Sequence, residues 1–266
     1  VYDWRSEDAE YMAVNTVVNL TRQPGARTIC AHVSQPACLH LINEARLKGA
    51  HVYAESCPHY FYATTGDLDN KGPWLKFAPA VRPQDTVDEM RRALGMGQVD
   101  YIGTDHCPFF YDGTQPITYE GQQIVIPGKE LGAKDFTKIP NGLPGVQDRM
   151  PILWTEGVVK GRISPNQFVA MMSTNPAKIF GIYPQKGSLT PGADADIVIW
   201  DPTQKVSYGV DVSHQRTDYS LYEGWTLTGY PEKVFLRGSL IVDGEQWLGK
   251  AGQGQFLHRD QPGEIL

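Results

Sequence analysis

The sequence predicts an α/β protein in which a parallel-sheet portion is followed by a smaller β portion. Short β-branched runs alternate with helical patterns from residue 26 to about residue 185, and this alternation is typical of parallel strands joined by crossover helices. After residue 186, turn-forming Pro-Gly and Asp-Gly pairs separate the extended segments instead. A long segment rich in glycine and proline, residues 108–146, interrupts the first portion, and loops of that length are usually functional or disordered.

The sheet is expected to open with a strand, a helix and a second strand. Residues 26–34 form an apolar, β-branched run of strand length, and Pro36 then suits the first turn of a helix that Gly49 ends. Residues 51–57 form a second strand, which Pro58 closes. Strand, helix and strand at this spacing predict parallel pairing with a right-handed crossover.

The following elements continue the α/β pattern. Residues 85–94 have the periodicity of an amphipathic helix, and residues 99–107 that of a third strand. Beyond the long loop, helical patterns cover residues near 146–160 and 164–173, and the pair Ser164-Pro165 supplies a start signal for the second helix.

The β portion is predicted to form a sheet of its own. Residues 187–201 and 233–243 have strand character, and Pro191-Gly192 and Asp243-Gly244 supply turn chemistry. No helix pattern separates these strands, as a βαβ unit would require. The sequence therefore predicts three parts, which are residues 1–185, residues 186–245, and residues 246–266 as a C-terminal arm over a neighbour's surface or a frayed tail.

Composition limits the classes of function. The chain has 266 residues, of which 41% are hydrophobic and 20% charged, as in an ordinary globular protein. A formal net charge of -6 without a Lys/Arg cluster predicts neither nucleic-acid binding nor binding to an anionic membrane. No apolar run of membrane-spanning length and no signal-peptide pattern occur, which predicts a cytoplasmic protein. The cysteines lack a CxxC spacing and are predicted to be buried, reduced thiols, namely Cys30, Cys38, Cys57 and Cys107.

Chemistry is expected at the carboxyl ends of the predicted strands, where parallel barrels gather their functional residues. His32, His59 and Asp105 lie at or just beyond these strand ends. Imidazole nitrogen and carboxylate oxygen are both metal ligands, so His32 and Asp105 predict a hydrolytic metal site. Each also has a plainer interpretation, because Asp105 fits an Asx turn or a helix cap, and His32 fits a structural histidine.

Several stretches taken together resemble the dihydropyrimidinase/hydantoinase family of cyclic amidohydrolases. They are CAHVS, AESCPHY, FAPAVRP, IGTDHCPF, KELGAKDFTKIPNGLPGVQDRM, STNPAKIFGIYPQKGSLTPGADADIVIWDP and DYSLYEGWTLTGYPEKVFLRGSLIVDG. The resemblance runs essentially from residue 1 to the end of the chain. It implies the C-terminal part of a metal-dependent (βα)8 TIM-type barrel, with barrel strands 6-8 in residues 1–185, and a portion of a β-sandwich in residues 186–245.

The resemblance also implies two zinc ions and a role for individual residues. His32 corresponds to a ligand of one zinc ion, and Asp105 corresponds to a ligand of the other. Asp105 would also accept the proton of the attacking water and deliver it to the leaving ring nitrogen. Asn141 corresponds to a main-chain contact to the substrate, and Ala78 stands where the family often has a substrate-contacting serine.

Two other histidines are weighed against the same family pattern. His59 lies in a stretch that varies between Gln and His in relatives, so it is not counted as a metal ligand. His106 either neighbours the substrate or is a hydrogen-bonded loop histidine.

The chain also departs from the family. It lacks the His-x-His pair of the first barrel strand, the carbamylated lysine of strand four that bridges the metals, and the histidine of strand five. Three strands cannot close a barrel, and an open edge exposes unpaired backbone groups. We therefore expect a fragment, which needs the missing N-terminal half in cis or in trans and is inactive alone.

The implied activity is the opening of a dihydropyrimidine or hydantoin ring to an N-carbamoyl amino acid. The implied partners are a small cyclic ureide or imide as substrate and further copies in a homo-oligomer, as a homotetramer. Two alternatives remain, an allantoinase and a non-catalytic dihydropyrimidinase-like assembly or scaffold protein. Retention of both His32 and Asp105 favours the enzyme, because a scaffold requires neither.

Overall fold

A computed structural model describes residues 3–265 of the chain and contains both helices and strands. Its α-helices are α1 Glu7–Thr21, α2 Pro36–Leu47, α3 His59–Tyr62, α4 Leu68–Lys71, α5 Gln84–Gly95, α6 Arg149–Leu153, α7 Pro165–Val169 and α8 Asn175–Ile179. Its strands are β1 Arg27–Cys30, β2 His51–Ser56, β3 Tyr101–Ile102, β4 Ile117–Tyr119, β5 Gln122–Ile124, β6 Ile197–Tyr208, β7 Trp225–Leu236, β8 Ser239–Asp243 and β9 Gln246–Trp247. The predicted α/β class is confirmed.

The described residues form two compact units. The first contains the residues up to Arg149 together with Ser207–Trp225, and the second contains Met150–Val206 and the residues from Thr226 on. The division into three parts stays a prediction, and its outer ends, residues 1–2 and 266, lie outside the described residues.

The first unit is built on the parallel sheet β1-β2-β3. Arg27 of β1 lies opposite His51 of β2, and Ser56 of β2 lies opposite Ile102 of β3. The helices between the strands supply the apolar faces that cover this sheet, since side chains from α2, β2, α5 and β3 are completely buried. These are Leu39, Ile42, Val52, Ala54, Val87, Leu94 and Ile102. The strand–helix–strand order predicted from periodicity is thus the framework of the core.

Local signals explain where the first helices begin. The hydroxyl oxygen of Ser6 accepts a hydrogen bond from the Ala9 N–H at 3.2 Å and caps α1. Helix α2 starts at Pro36, which has no N–H to leave unsatisfied in the first turn. Helix α1 therefore starts at a capped donor, and α2 starts at a residue that has no donor to satisfy.

The first and third strands are shorter than predicted. Residues 26–34 and 99–107 were expected to be extended, yet β1 ends at Cys30 and β3 at Ile102. Two residues beyond β1, His32 has a φ of 44°, and three beyond β3, Asp105 has a φ of 48°. A left-handed conformation cannot continue a strand, so the chain turns at the two residues predicted to carry chemistry.

The long loop has more structure than its composition predicts. Strands β4 and β5 form a small antiparallel hairpin, with Ile117 opposite Ile124. Glu120 and Gly121 join them, both with positive φ (49° and 78°), as a two-residue type I′ turn requires. The alternation in this segment is too short to stand out against the surrounding glycine and proline.

Helix α7 of the second unit begins at the predicted cap. The hydroxyl oxygen of Ser164 accepts from the Gln167 N–H at 3.2 Å, while the Gln167 side-chain oxygen accepts from the Ser164 N–H at 2.8 Å. This capping box starts α7, and a π turn, Ala170–Thr174, then leads into α8. The helical segment therefore extends beyond the predicted end at residue 173.

A second sheet, separate from the parallel one, contains β6, β7, β8 and β9 in that order, as predicted. Strands β7, β8 and β9 pair antiparallel. Strand β6 begins at Ile197 and not at residue 187. A turn at Gly192 (φ 98°) precedes it, and Lys186 forms an ion pair with Asp194 at 2.9 Å. That this sheet belongs to a β-sandwich stays a prediction.

The C-terminal segment adds strand β9 and then runs back along the second unit. The Asp260 N–H donates to the Gly181 carbonyl at 2.7 Å, and the Gly263 N–H donates to the Lys178 carbonyl at 2.9 Å. These bonds fasten residues near the C-terminus to the end of α8, so this part of the segment is not frayed. An arm over a neighbouring molecule stays a prediction.

Two further expectations concern the membrane and the cysteines. Between residues 3 and 265, no helix has the length and hydrophobicity to cross a bilayer. Cys30, Cys38 and Cys57 are buried free thiols as predicted, but Cys107 is exposed. The prediction for Cys107 is wrong because the chain has already turned away from the sheet after Asp105.

Candidate functional site

Three polar side chains gather at the carboxyl ends of the parallel strands. His32 follows β1, Glu55 lies near the end of β2, and Asp105 follows β3. The charges of His32 and Asp105 both act on the buried Glu55 carboxyl, and His32 acts on Asp105. The structure therefore brings the predicted residues His32 and Asp105 within electrostatic reach of each other.

The loop that carries His32 is held by main-chain and side-chain contacts from β2. The His32 N–H donates to Glu55 Oε2 at 2.6 Å, and the Val33 N–H donates to the Glu55 carbonyl at 2.8 Å. The Ser56 hydroxyl donates to the Val33 carbonyl at 2.7 Å. These bonds fix a left-handed histidine, a conformation that costs roughly 1–3 kcal/mol for a residue with a side chain.

Glu55 is the central residue that sequence reasoning missed. Its buried carboxylate accepts the His32 N–H and contacts the Cys57 thiol at 3.3 Å. Burial raises the pKa of this carboxyl, the bonds from His32 and Cys57 oppose the rise, and Asp105 adds to it. No local signal identifies it, because its strand, HVYAES, also contains other polar residues and its partner His32 lies 23 positions earlier.

Gly103 is required by the position of Glu55. A Cβ atom on Gly103 would lie 1.9 Å from Glu55 Oε1 and 2.8 Å from its carboxyl carbon. The glycine continues the sheet hydrogen bonding, since its N–H donates to the Ser56 carbonyl at 2.9 Å. The carboxylate thus occupies the space that any side chain at position 103 needs.

Asp105 is exposed and has a left-handed backbone. Partial desolvation of its carboxyl raises the pKa, and nearby His32 opposes that rise. Within residues 3–265, no hydrogen bond to the Asp105 carboxylate is formed, whereas Asp112 accepts bonds from the N–H and hydroxyl of Thr114. An Asx turn therefore describes Asp112 and not Asp105.

The two other histidines have structural surroundings. His59 is buried in α3 against Phe77, with ring centroids 4.6 Å apart, and burial lowers its pKa to about 3, so its ring is neutral. Nδ1 of His106 accepts hydrogen bonds from the N–H groups of Gly145 at 3.0 Å and Val146 at 3.3 Å. Of the two interpretations of His106, these contacts favour the loop histidine.

A groove of about 580 Å³ leads to the site beside α1 and β1. His32 and Ala78 both line it, together with apolar residues of α1 such as Val14 and Val17. The structure thus brings the predicted metal ligand and one predicted substrate-contacting residue into one cavity.

Asn141 is exposed, and its segment is hydrogen-bonded to the segment that contains Ala78. The N–H of the next residue, Gly142, donates to the carbonyl of Lys76 at 3.0 Å. Gly142 has a φ of 144°, and a Cβ there would lie 2.4 Å from the Cys107 carbonyl. The segments of Ala78, Asn141 and Cys107 therefore meet closely.

The residues present fit part of a metal site. The imidazole of His32, after β1, and the carboxylate of Asp105, after β3, lie on strands separated by β2. Both suit zinc in donor type. Across residues 3–265, however, no group of three or more His, Cys, Asp or Glu side chains lies close enough together to hold a metal ion. His32 and Asp105 can therefore supply some, but not all, of the donors that such an ion needs.

The fold and this geometry define an α/β protein with its polar site at the carboxyl ends of parallel strands, where proteins of this class hold their active sites. The family model of the amidohydrolases matches residues 10–241. The chain therefore belongs to the amidohydrolase family.

Individual relatives show which members of the family the chain is similar to. The chain is 38% identical over 265 residues to the D-hydantoinase of Geobacillus stearothermophilus, and the match covers 98% of this chain and 53% of that protein. A solved dihydropyrimidinase from Brevibacillus agri has a TM-score of 0.88 and 39% identity, covering 97% of this chain and 54% of that one. An L-hydantoinase (dihydropyrimidinase) from Arthrobacter aurescens has a TM-score of 0.82 and 34% identity, covering 94% and 52%.

These relatives confirm the resemblance to hydantoinases and dihydropyrimidinases that the sequence motifs predict. The chain spans about half the length of the relatives that it matches. Relatives named for D- and for L-hydantoins both occur, so the similarity does not select an enantiomer.

Proposed function

We propose that this chain supplies one side of the active site of a cyclic amidase, which opens a dihydropyrimidine or hydantoin ring to an N-carbamoyl amino acid. The observation that carries the proposal is that His32 and Asp105 follow β1 and β3 of one parallel sheet, at its carboxyl edge and within electrostatic reach of each other. Both residues leave their strands in a left-handed conformation. The relatives named hydantoinase and dihydropyrimidinase support this reaction.

The proposed chemistry divides between the two residues. His32 and Asp105 would each provide one ligand to a zinc pair, and Asp105 would also transfer the proton. Its carboxylate oxygen accepts a proton from the attacking water and returns it to the ring nitrogen as the amide bond breaks. When bound, the metal pair would lower the pKa of water and polarise the amide carbonyl.

Main-chain groups near Ala78 and Asn141 are proposed to orient the ring. A cyclic imide presents alternating carbonyl and N–H groups, which backbone amides and carbonyls match. A contact made by the backbone of Ala78 is unaffected by the absence of the serine hydroxyl. A contact made by a serine hydroxyl would instead be lost at Ala78, and binding of the ring would be weaker.

The remaining ligands are proposed to come from a further segment of polypeptide, in cis or in trans. Among the described residues, β1 has a strand partner on one edge only, and the groove beside it leads to His32. A parallel strand on the free edge would complete backbone pairing and bring further donors to the site. The chain alone is then inactive, and its zinc, its homotetrameric assembly and its cytoplasmic location stay predictions.

The alternatives receive less support. An allantoinase or a non-catalytic assembly protein is compatible with the fold. The relatives described above are instead named for hydantoin and dihydropyrimidine hydrolysis, which favours that reaction.

The test is Asp105→Asn in the polypeptide that contains this chain together with the missing donors. Asparagine keeps the size of the side chain and tolerates a left-handed backbone, but it cannot shuttle the proton. We expect kcat with dihydrouracil or hydantoin to fall about 10²- to 10⁴-fold. The free energy of unfolding should change by less than about 1 kcal/mol.

Asp112→Asn is the matched control, because Asp112 is an aspartate seven residues further along the chain that forms a genuine Asx turn. It should leave both turnover and zinc content at the parental level. Parental turnover in Asp105→Asn with zinc content unchanged would contradict the catalytic assignment. No turnover of any cyclic amide by the parent would contradict the proposed function itself.

A further inference from the structure

Two buried lysines lie beneath the segments that carry Ala78 and Asn141. Lys129 is 0% exposed and Lys76 is 8% exposed. Lysine is among the residues least often buried without a partner of opposite charge. Their surroundings therefore need an explanation.

The ammonium groups of both lysines bind main-chain carbonyls. Lys76 Nζ donates to the carbonyls of Phe136 and Ile139, at 2.8 Å in each case. Lys129 Nζ donates to the carbonyls of Lys76 and Pro140, at 3.2 Å in each case. Each ammonium group thus binds the stretch just before Asn141.

The two lysines also connect this stretch to the segment of Ala78. The Lys76 carbonyl accepts two bonds, one from Lys129 Nζ and one from the Gly142 N–H at 3.0 Å. Lys76 precedes Ala78 by two residues, and Pro140 and Gly142 flank Asn141. A closed set of bonds therefore surrounds Asn141; we call it the lysine clasp, comprising Lys76, Lys129 and their carbonyl partners.

Packing alone does not account for the clasp. Among the described residues, no carboxylate lies within ion-pair distance of either ammonium group, and burial lowers the pKa of Lys129 to about 8, with Lys76 adding to the effect. Burying a cation without a counter-charge is unfavourable, and an apolar side chain of similar length would fill the same space more favourably. What the ammonium groups supply instead is directed hydrogen bonds to several carbonyls at once.

We propose that Lys76 and Lys129 are positioning residues for substrate binding, which hold the main chain at Asn141 in register with the main chain at Ala78. This inference rests on the proposed function and deepens it, because it names the side chains that set the geometry of the ring-binding segments. The lysines do not touch the reacting atoms. Their loss should therefore weaken binding of the ring and leave the chemical step largely intact.

The test uses Lys129→Met and, separately, Lys76→Met. Methionine keeps the length and apolar stem of lysine but removes the donors. Amide hydrogen exchange in the purified chain should become about tenfold faster or more at Gly142, because hydrogen bonds to charged groups are each worth about 1.5–3 kcal/mol. In the polypeptide that completes the site, KM for dihydrouracil or hydantoin should rise about tenfold or more while kcat changes less than about threefold.

Lys138→Met is the matched control. Lys138 belongs to the same stretch, but its side chain is 68% exposed and lies 3.8 Å from Asp135. It should change neither hydrogen exchange nor KM.

The outcomes separate the clasp from the proposed function. Faster exchange confined to residues 136–143, with the shift in KM, supports the clasp. Unchanged exchange there in a folded variant overturns it, as does a loss of kcat at constant KM. If one variant fails to fold, the other decides, and failure of both to fold overturns the positioning role in favour of a purely structural one. If the parent hydrolyses no cyclic amide, the proposed function fails, while the exchange measurement still tests the clasp.

Discussion

Replacing Gly103 by alanine should destabilise the protein through Glu55. The new methyl group would lie 1.9 Å from Glu55 Oε1, which is far inside van der Waals contact, so the carboxylate must move. Movement breaks its 2.6 Å bond from the His32 N–H. Overpacking costs about 1–3 kcal/mol and a lost bond to a charged group about 1.5–3 kcal/mol, so the free energy of unfolding should fall by roughly 2.5–6 kcal/mol.

A double-mutant cycle isolates this effect. In a Glu55→Ala background, the atoms that clash with the methyl group are gone, and Gly103→Ala should then cost less than about 0.5 kcal/mol. The two single changes are therefore expected to be non-additive by at least about 1.5 kcal/mol. Gly254→Ala is the control, because a Cβ atom there meets nothing within 4 Å.

Urea unfolding followed by circular dichroism gives the free energies for the cycle. Hydrogen exchange at the His32 amide reports the local change directly, and it should accelerate in Gly103→Ala and in Glu55→Ala. Additive costs in the cycle, or a His32 amide that stays protected in Gly103→Ala, would refute the account of Glu55 as the support of the His32 loop.

Two further predictions concern pH. Burial lowers the pKa of His59 in the folded state to about 3, below its ordinary value of 6.5. The unfolded chain therefore takes up this proton first, and stability should fall as the pH drops from 6.5 toward 3, by at most about 1.4 kcal/mol per pH unit. His59→Leu should flatten this slope in urea unfolding at a series of pH values, and an unchanged slope would contradict the argument. Burial raises the pKa of the Asp148 carboxyl from 3.8 to about 6, so its stabilising contribution is present below 3.8 and lost as the pH rises through 6. Asp148→Asn should therefore raise the free energy of unfolding at pH 8 by about 1–3 kcal/mol and have less effect at pH 4, and thermal unfolding at the two pH values checks this.

The sequence predicted those features that depend on local pattern. Periodicity placed β1, α2, β2 and α5, and the strand-end rule directed attention to His32 and Asp105, which the structure brings within electrostatic reach. The strand limits were missed because a left-handed turn at a histidine or an aspartate leaves no periodic signal.

Other parts of the site depend on contacts distant in sequence. Glu55 resembles an ordinary strand residue until His32, 23 positions earlier, is seen to donate to its carboxylate. Lysine is typical of surfaces, so nothing local distinguishes the buried Lys129 from the exposed Lys138 nearby. The contacts of Glu55 and Lys129 are seen only in the folded chain, where residues 76 and 140 lie close together.

The left-handed backbone at His32 and Asp105 limits how the site can be redesigned. Histidine, aspartate, asparagine and glycine tolerate this conformation, whereas β-branched residues such as valine or threonine are strained in it. In a library that exchanges metal-binding side chains at these positions, each residue must therefore meet two requirements. It must supply a metal donor, and it must tolerate a left-handed backbone. Histidine and aspartate meet both requirements. Variants that exchange one for the other should therefore fold more often than variants whose donor residue does not tolerate the left-handed conformation.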